Sequence, residues 1–339
     1  MTNTPSMTIA EAMGSIPRTV ADLLGQGTLD RCFAEAGLPV DLCDLAGSYI
    51  PEVAIDRFFQ STARRAGDEF FGATLARSVS VQDYGVWGDY VLQAPTLASA
   101  LERATSIIHL HADKDTLTLL RRSNSVRFEY TFGERTGEGY RQIAMAAIGP
   151  LISIPRHYLG EAWLPRRIRI DNSERGAAKR LEGEFNCDVL TNGTAISIEI
   201  SNADLRSANL SKISQVVTRE DVERACCGGP PVGILSIVEE LILQRIGVRR
   251  TSIADIAEAT DLSKRTLQRL LHQEGISFRS LSNIIRMRRA QELLVGSSLS
   301  VSEIATLLDY ATPSHFARAF QKSFAVAPLV YRGINSPQT

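Results

Sequence analysis

Ser252-Ile253-Ala254-Asp255-Ile256-Ala257-Glu258-Ala259-Thr260-Asp261-Leu262-Ser263-Lys264-Arg265-Thr266-Leu267-Gln268-Arg269-Leu270-Leu271 decides the fold of the last third of the chain. Ser252 can cap a helix whose apolar face is Ile253, Ile256 and Ala257, and small Ala257 lets a crossing helix approach closely. Ser263 caps a second helix. On it, Leu267, Leu270 and Leu271 face inward and Lys264, Arg265, Gln268 and Arg269 face outward, with Thr266 in the first turn. A short helix with an exposed basic and amide stripe is what reading the major groove requires. Arg and Lys donate to guanine edges, Gln pairs with adenine, and the remaining groups reach phosphate.

The arrangement recurs in Ser300-Val301-Ser302-Glu303-Ile304-Ala305-Thr306-Leu307-Leu308, a turn at Asp309-Tyr310-Ala311, and Thr312-Pro313-Ser314-His315-Phe316-Ala317-Arg318-Ala319-Phe320-Gln321-Lys322. Thr312 is the N-cap and Pro313 suits the first turn. Phe316 and Phe320, four apart, bury together. Ser314, His315, Arg318, Gln321 and Lys322 are left for DNA. Either unit alone reads equally well as amphipathic helices with solvated charges. Two in tandem, joined by a long helix over about 277–295, favour a double reader. Arg286, Arg288 and Arg289 on the joining helix suit phosphate contact or a solvated face equally.

These residues carry a resemblance. Ile256-Ala257, Ser263, Arg265-Thr266-Leu267, Arg269, Leu271, Ile304-Ala305, Ser314-His315-Phe316, Arg318, Phe320, Lys322-Ser323-Phe324, Pro328 and Tyr331-Arg332 resemble the DNA-binding domain of AraC/XylS transcriptional regulators over about residues 234–332. The resemblance implies two reader helices in successive major-groove faces, a contact with RNA polymerase, and activation more than repression. Asp309 and Ala325 stand where the family usually has Gly, and Ala327 where Thr or Ser is common. Asp and Ala lack glycine's ease at positive φ, so strain is expected in those turns.

The 339 residues suit two or three domains. A hydrophobic content of 44% and a charged content of 22% are those of a globular chain. The net charge of −1 argues at first against nucleic acid, but it is an average. Pro231 to Thr339 holds 13 Lys+Arg against 9 Asp+Glu, which leaves 24 against 29 in the rest. No apolar run is long enough to span a bilayer, Met1 to Ala12 lacks the basic-then-apolar pattern so a secretory signal is not expected, and five cysteines make no disulfide framework. A soluble, cytoplasmic protein is expected. Cys226-Cys227-Gly228-Gly229-Pro230-Pro231 breaks helix and strand alike, so the expected division is a sensing and dimerisation domain over 1–225, a linker over 226–233 and the DNA-binding domain over 234–339. The vicinal cysteines suit free structural thiols better than a redox or ligand pair.

Ahead of the linker the pattern is α+β, followed by the all-α reader. Helices are expected over Ala54–Ala66, Thr96–His109, Tyr140–Leu151 and Gly176–Phe185, and strands over Asp115–Arg121, Ser125–Phe132, Arg166–Ile170 and Thr194–Ile200. About residues 15–210 resemble, more weakly, the effector domain of one AraC subgroup through Gly85–Tyr90, Ala94-Pro95-Thr96-Leu97-Ala98 with Ala100-Leu101, His109, and the Phe185–Ile200 region. That likeness implies ligand sensing and dimerisation.

One segment departs from the subgroup. Asp171-Asn172-Ser173-Glu174-Arg175-Gly176 fits [DN]-x-S-x-x-G behind Arg166, Arg167 and Arg169, and is similar to the cyclic-di-GMP motif of PilZ domains. Arginines grip phosphate and guanine edges bidentately, an acidic residue accepts from guanine N–H groups, and Gly lets the backbone approach. Along a strand, Arg167, Arg169, Asp171 and Ser173 share one face and Arg166 takes the other. The expected ligand residues are thus Arg166, Arg167, Arg169, Asp171, Ser173, Arg175 and Gly176. The spacing departs from PilZ, whose arginines lie farther upstream, and the same residues also make a surface turn before a helix. Cyclic di-GMP is expected as effector rather than cofactor. It would bridge a homodimer on promoter DNA, and control of exopolysaccharide or biofilm genes would follow from that ligand class. Another small effector, such as an amino acid or lipid-like compound, or control by protein partners, is the alternative. An enzyme is disfavoured. No P-loop, Rossmann or Gly-x-Ser-x-Gly pattern occurs, and His109 and His111, two apart as on one strand face, have no third metal ligand nearby.

Overall fold

The computed structural model describes residues 4–39, 42, 47–171, 176–191, 193–211, 216–247 and 251–335. The chain divides into two compact units, Met1–Pro230 and Pro231–Thr339.

The first unit is built on a five-stranded sheet. Its strands are β3 (Thr116–Arg121), β4 (Ser125–Thr131), β5 (Ile168–Arg169), β6 (Val189–Leu190) and β7 (Ile196–Ser201), in the order β3-β4-β7-β5-β6. All neighbours are antiparallel except β5 and β6. β1 (Met7–Ile9) and β2 (Tyr49–Pro51) form a separate antiparallel pair. Alternation fixes which face is buried. Leu117, Val126, Phe128, Ile168, Ile196, Ile198 and Ile200 are all buried, and helices Leu97–Ile107 and Ile148–Leu159 pack on β3 and β7. The opposite face carries Arg127 and Glu129 on β4, Ser197 and Glu199 on β7, and Arg167 and Arg169 beside them. A second core lies among the helices Ile16–Leu24, Gln26–Ala36 and Glu52–Ala66, where the rings of Phe33 and Phe58 meet at 5.2 Å.

The expected α+β class holds, and three local expectations need correction. The helix expected over Tyr140–Leu151 is two helices, Tyr140–Ala146 and Ile148–Leu159. Pro150 has no N–H to give the preceding turn, so the first helix stops and Pro150 sits in the opening turn of the second, where no such donor is needed. The Thr96–His109 helix ends at Ile107 and tightens into a 3-10 turn over Ile108–Leu110. His109 is exposed there while His111 is buried, so the two share no face. The start of the expected linker is not free chain, because Cys226 is buried and its carbonyl lies 2.9 Å from the buried Tyr49 hydroxyl.

The second unit is all helix among its described residues. Ile234, Ile237, Val238, Leu241 and Ile242 line one buried face of Ile234–Leu243. The long helix Phe278–Gly296 contributes Met287, Ala290 and Leu294 to a core shared with Ile304, Ala305, Leu308, Phe316 and Phe320.

Candidate nucleic-acid interface

Each helix pair is held by the same local devices. Ser252 opens the support helix Ile253–Ala259 with a capping box: its N–H donates to Asp255 Oδ2 at 2.7 Å while its Oγ accepts from the Asp255 N–H at 3.3 Å. Ser300 and Glu303 repeat the box on Val301–Leu307, at 2.7 and 3.2 Å. Such reciprocal caps satisfy two orphan donors and fix where the helix begins. Asp261 (φ 55°) and Asp309 (φ 60°) then turn the chain in the left-handed region, where Asp is tolerated better than most residues. Both reader helices start on a side-chain cap. Ser263 Oγ accepts from the Thr266 N–H at 3.1 Å ahead of Lys264–Gln273, and Thr312 Oγ1 from the His315 N–H at 3.2 Å ahead of Pro313–Phe324.

The inward residues correspond between the units. Leu267 and Leu271 are buried in the first, Phe316 and Phe320 in the second. With those positions anchored, Lys264, Arg265, Gln268 and Arg269 are exposed on one reader, and Ser314, His315, Arg318, Gln321 and Lys322 on the other. Arg269 and Arg318 hold corresponding places. Ser263, expected both as the cap and as a DNA contact, caps this helix and stays exposed; its hydroxyl lies 2.8 Å from that of Thr266, also expected at DNA, which is half-buried. The joining-helix arginines are paired inside the unit. Arg286 lies 3.7 Å from Asp309, Arg289 lies 2.7 Å from Glu292, and Arg288 meets Glu239. These pairings favour a positioning role for that helix over groove contact.

Ala325 ends the second reader with φ 62°, ψ 1° and its N–H on the Gln321 carbonyl at 2.8 Å. An L side chain costs about 1 kcal/mol in that conformation, and Ala325 is exposed. Ala325→Gly is expected to raise the melting temperature of the C-terminal unit by a few degrees, read by circular dichroism; a lowered midpoint would count against the strain. Asp309→Gly is the less clean test, because it also takes the partner from Arg286. The expectation of positive φ at Asp309 and Ala325 is met. Asp261 was missed, although its correspondence with Asp309 was available in the repeat.

The arginine segment is held in the sheet of the first unit. Arg166 N–H donates to the Glu199 carbonyl and Ile170 N–H to the Leu190 carbonyl, both at 2.9 Å, with Ile168 and Ile170 buried. Arg167 and Arg169 therefore project from the outer face, and Arg166 is exposed. On that face the cations alternate with acids. Arg167 lies 3.5 Å from Asp188, Arg127 lies 3.1 Å from Glu129, and the Ser125 hydroxyl donates to Glu199 at 2.8 Å. Arg169 has no side-chain partner among the described residues and stands opposite Ser197, whose buried Oγ is also unpartnered among them. Asp171 Oδ2 accepts from the Tyr140 hydroxyl at 2.6 Å. Gly176 (φ 86°) precedes the helix Ala177–Phe185, while Ser173 and Arg175 lie outside the described residues. The face carries as many acids as arginines, so it is not a strongly cationic surface. Among the described residues no cluster of His, Cys, Asp and Glu is arranged to hold a metal, and no helix is long and apolar enough to cross a membrane.

Residues 27–209 match the family model described as "Arabinose-binding domain of AraC transcription regulator, N-term", and residues 256–334 match a helix-turn-helix domain. The transcriptional activator NphR of Rhodococcus sp is 27% identical over 197 residues, covering 54% of this chain and 55% of NphR. The HTH-type transcriptional regulator VqsM of Pseudomonas aeruginosa is 25% identical over 264 residues, covering 74% of this chain and 80% of VqsM. This chain thus spans about half the length of NphR and more of VqsM. The crystal structure of the transcriptional regulator CdpR from Pseudomonas aeruginosa aligns over 91% of this chain and 97% of CdpR, with a TM-score of 0.42 and 20% identity.

Proposed function

Because the chain belongs to the AraC family of transcription regulators, we propose that it binds promoter DNA through both reader helices and activates transcription in response to a small effector sensed by residues 27–209. One observation carries the DNA reading: two capped helix pairs in tandem turn matching cationic and amide stripes outward from a hydrophobic interior. Activation is supported by the likeness to NphR, a transcriptional activator. The small net positive charge of the C-terminal unit implies that affinity leans on specific contacts and dimerisation more than on bulk attraction.

The test uses DNA selected from a random library by the full chain. Arg265→Ala and Arg318→Ala are each expected to weaken binding to the selected sequence by about 1–3 kcal/mol in gel shifts, and to relax preference at one base position each. Retention of wild-type affinity by both variants would overturn the reading. Loss of affinity without loss of preference would assign them to phosphate.

A second reading places cyclic di-GMP at the arginine segment, where it would bridge a homodimer and, through that ligand class, control exopolysaccharide or biofilm genes. It is favoured by Arg169 and the neighbouring Ser197, both without a side-chain partner among the described residues, and opposed by the interleaved Glu129, Glu199 and Asp188. Calorimetry with the dinucleotide on wild type and Arg169→Ala decides it. No heat, or equal affinity, removes this ligand.

A further inference from the structure

The joining helix Phe278–Gly296 is tied to the two readers by different devices. At its start, the first reader Lys264–Gln273 ends in a closed turn. The Ile276 N–H donates to the Leu271 carbonyl and the Gly275 N–H to the His272 carbonyl, both at 3.0 Å, with Gly275 at φ 76°. These two bonds make a Schellman motif, which satisfies end carbonyls and fixes the direction in which the chain leaves. Ser277 follows at once as the cap of the joining helix, its Oγ accepting from the Ser280 N–H at 3.1 Å. The Glu274 N–H is on the Leu270 carbonyl at 3.3 Å. Every residue between the two helices is therefore held, and the first reader and the joining helix form one piece.

Further along, Asn283 and Arg286 stand three apart, which sets them on one face of the joining helix. They reach two successive residues in the turn of the second pair. The Arg286 guanidinium lies 3.7 Å from the Asp309 carboxylate, and both side chains are half-buried, with 18% and 20% exposure. The Tyr310 hydroxyl donates to Asn283 Oδ1 at 3.3 Å. Tyr310 carries the hold onward. Its N–H is on the Ala305 carbonyl of the support helix at 2.9 Å, and its ring meets that of Phe316, fully buried on the second reader, at 5.5 Å. Arg288 and Arg289 are paired elsewhere, with Glu239 and Glu292. A glycine at 309 would take φ 60° more easily than Asp, but it would bring no carboxylate to Arg286.

We propose that Arg286, acting through Asp309 and assisted by Asn283, is a positioning residue that fixes the second reader against the first, so that the chain accepts one spacing between the two base-pair elements it reads. The proposal rests on the reading of both helices as DNA readers and adds what sets their register. One inserted base pair moves the second element about 3.4 Å along the duplex and about a tenth of a turn around it. A reader held through a charge pair and a ring contact cannot follow that displacement without breaking them. A loosened turn lets it follow, and weakens its hold on the right spacing.

The test uses the full chain and DNA that it selects from a random library. Base substitution along that DNA marks the two elements, and duplexes with one base pair inserted or removed between them are compared in gel shifts. The wild type is expected to bind these at least tenfold more weakly than the selected spacing. For Arg286→Met, which keeps an unbranched stem and loses the charge, that ratio should fall below threefold. Arg286→Lys, which keeps a cation for Asp309, should restore most of it. Asp309→Gly should behave as Arg286→Met does, although it relieves the positive φ, and the two changes combined should do no more than either alone, because they remove one interaction. Thermal unfolding by circular dichroism shows each variant folded. A Met variant that keeps the wild-type ratio overturns the proposal, as does a wild type indifferent to spacing or a double variant whose losses add. Equal weakening at every spacing, with a shallower salt dependence, overturns it too and puts Arg286 on phosphate. The two readings fail separately. A wild type that selects no sequence removes DNA recognition itself, whereas selection with an unaltered spacing ratio in the variants removes only the positioning role.

Discussion

Phe320→Ala is expected to cost the C-terminal unit about 3–5 kcal/mol, the usual cost of emptying a fully buried aromatic site. Phe320 is 0% exposed and its ring meets Phe316 at 5.8 Å, Phe324 at 4.6 Å and Tyr331 at 5.4 Å. It ties the second reader helix to the last helix, Pro328–Asn335, and to the core under Phe278–Gly296. At roughly 4–8 °C per kcal/mol for a unit near this size, the unit's midpoint should fall by more than ten degrees. Both tryptophans lie in the N-terminal unit. Fluorescence should therefore keep its wild-type transition while far-ultraviolet circular dichroism gains an earlier one. Selected DNA should bind poorly even though Phe320 touches no base. An unshifted circular dichroism curve would mean that the aromatic cluster is not what holds the second reader.

The C-terminal unit was legible because its signals are local. Ser caps, small Ala257 and Ala305 where helices cross, and two apolar residues four apart on each reader can be read without knowing any distant partner. The left-handed turns were half-legible, Asp309 and Ala325 through their departure from Gly. The N-terminal unit was less so. Its β3–β4 hairpin and the alternation Ile196, Ile198, Ile200 are period-two patterns within one strand. By contrast β1 and β2 are three residues each and exist because Ser6, Met7 and Ile9 find partners some forty or a hundred positions away. No local pattern encodes that. The arginine segment shows the same limit: its strand was found, but the acids between the arginines come from β4, β7 and Asp188. Likewise His111 was visible only as a weak metal candidate, since the rings of Tyr84 and Trp87 reach it from separate elements.

The same convergence predicts a pH dependence of the N-terminal unit. Burial first, and the Asp115 charge second, push the Glu52 carboxyl from its ordinary 4.5 up to about 8, and burial raises Asp115 in the same direction. Asp113 and Glu134 add negative charge around Glu52. The Ser6 hydroxyl opposes the rise, and it also donates to Asp113 at 2.6 Å. A carboxyl whose folded pKa lies above its unfolded one contributes its full stability below the unfolded value and loses it as pH rises through the folded value. The window therefore runs from about pH 4.5 to about pH 8, and each unit is about 1.4 kcal/mol. Urea unfolding followed by tryptophan fluorescence should show the unit weaker by about 3 kcal/mol at pH 8.5 than at pH 5.5. Glu52→Gln keeps the shape without the charge, so it should flatten most of that slope and leave the unit more stable than wild type at the alkaline end. A wild-type stability that is flat or rises over this range, or a Gln variant with the wild-type slope, would place the titrating group elsewhere.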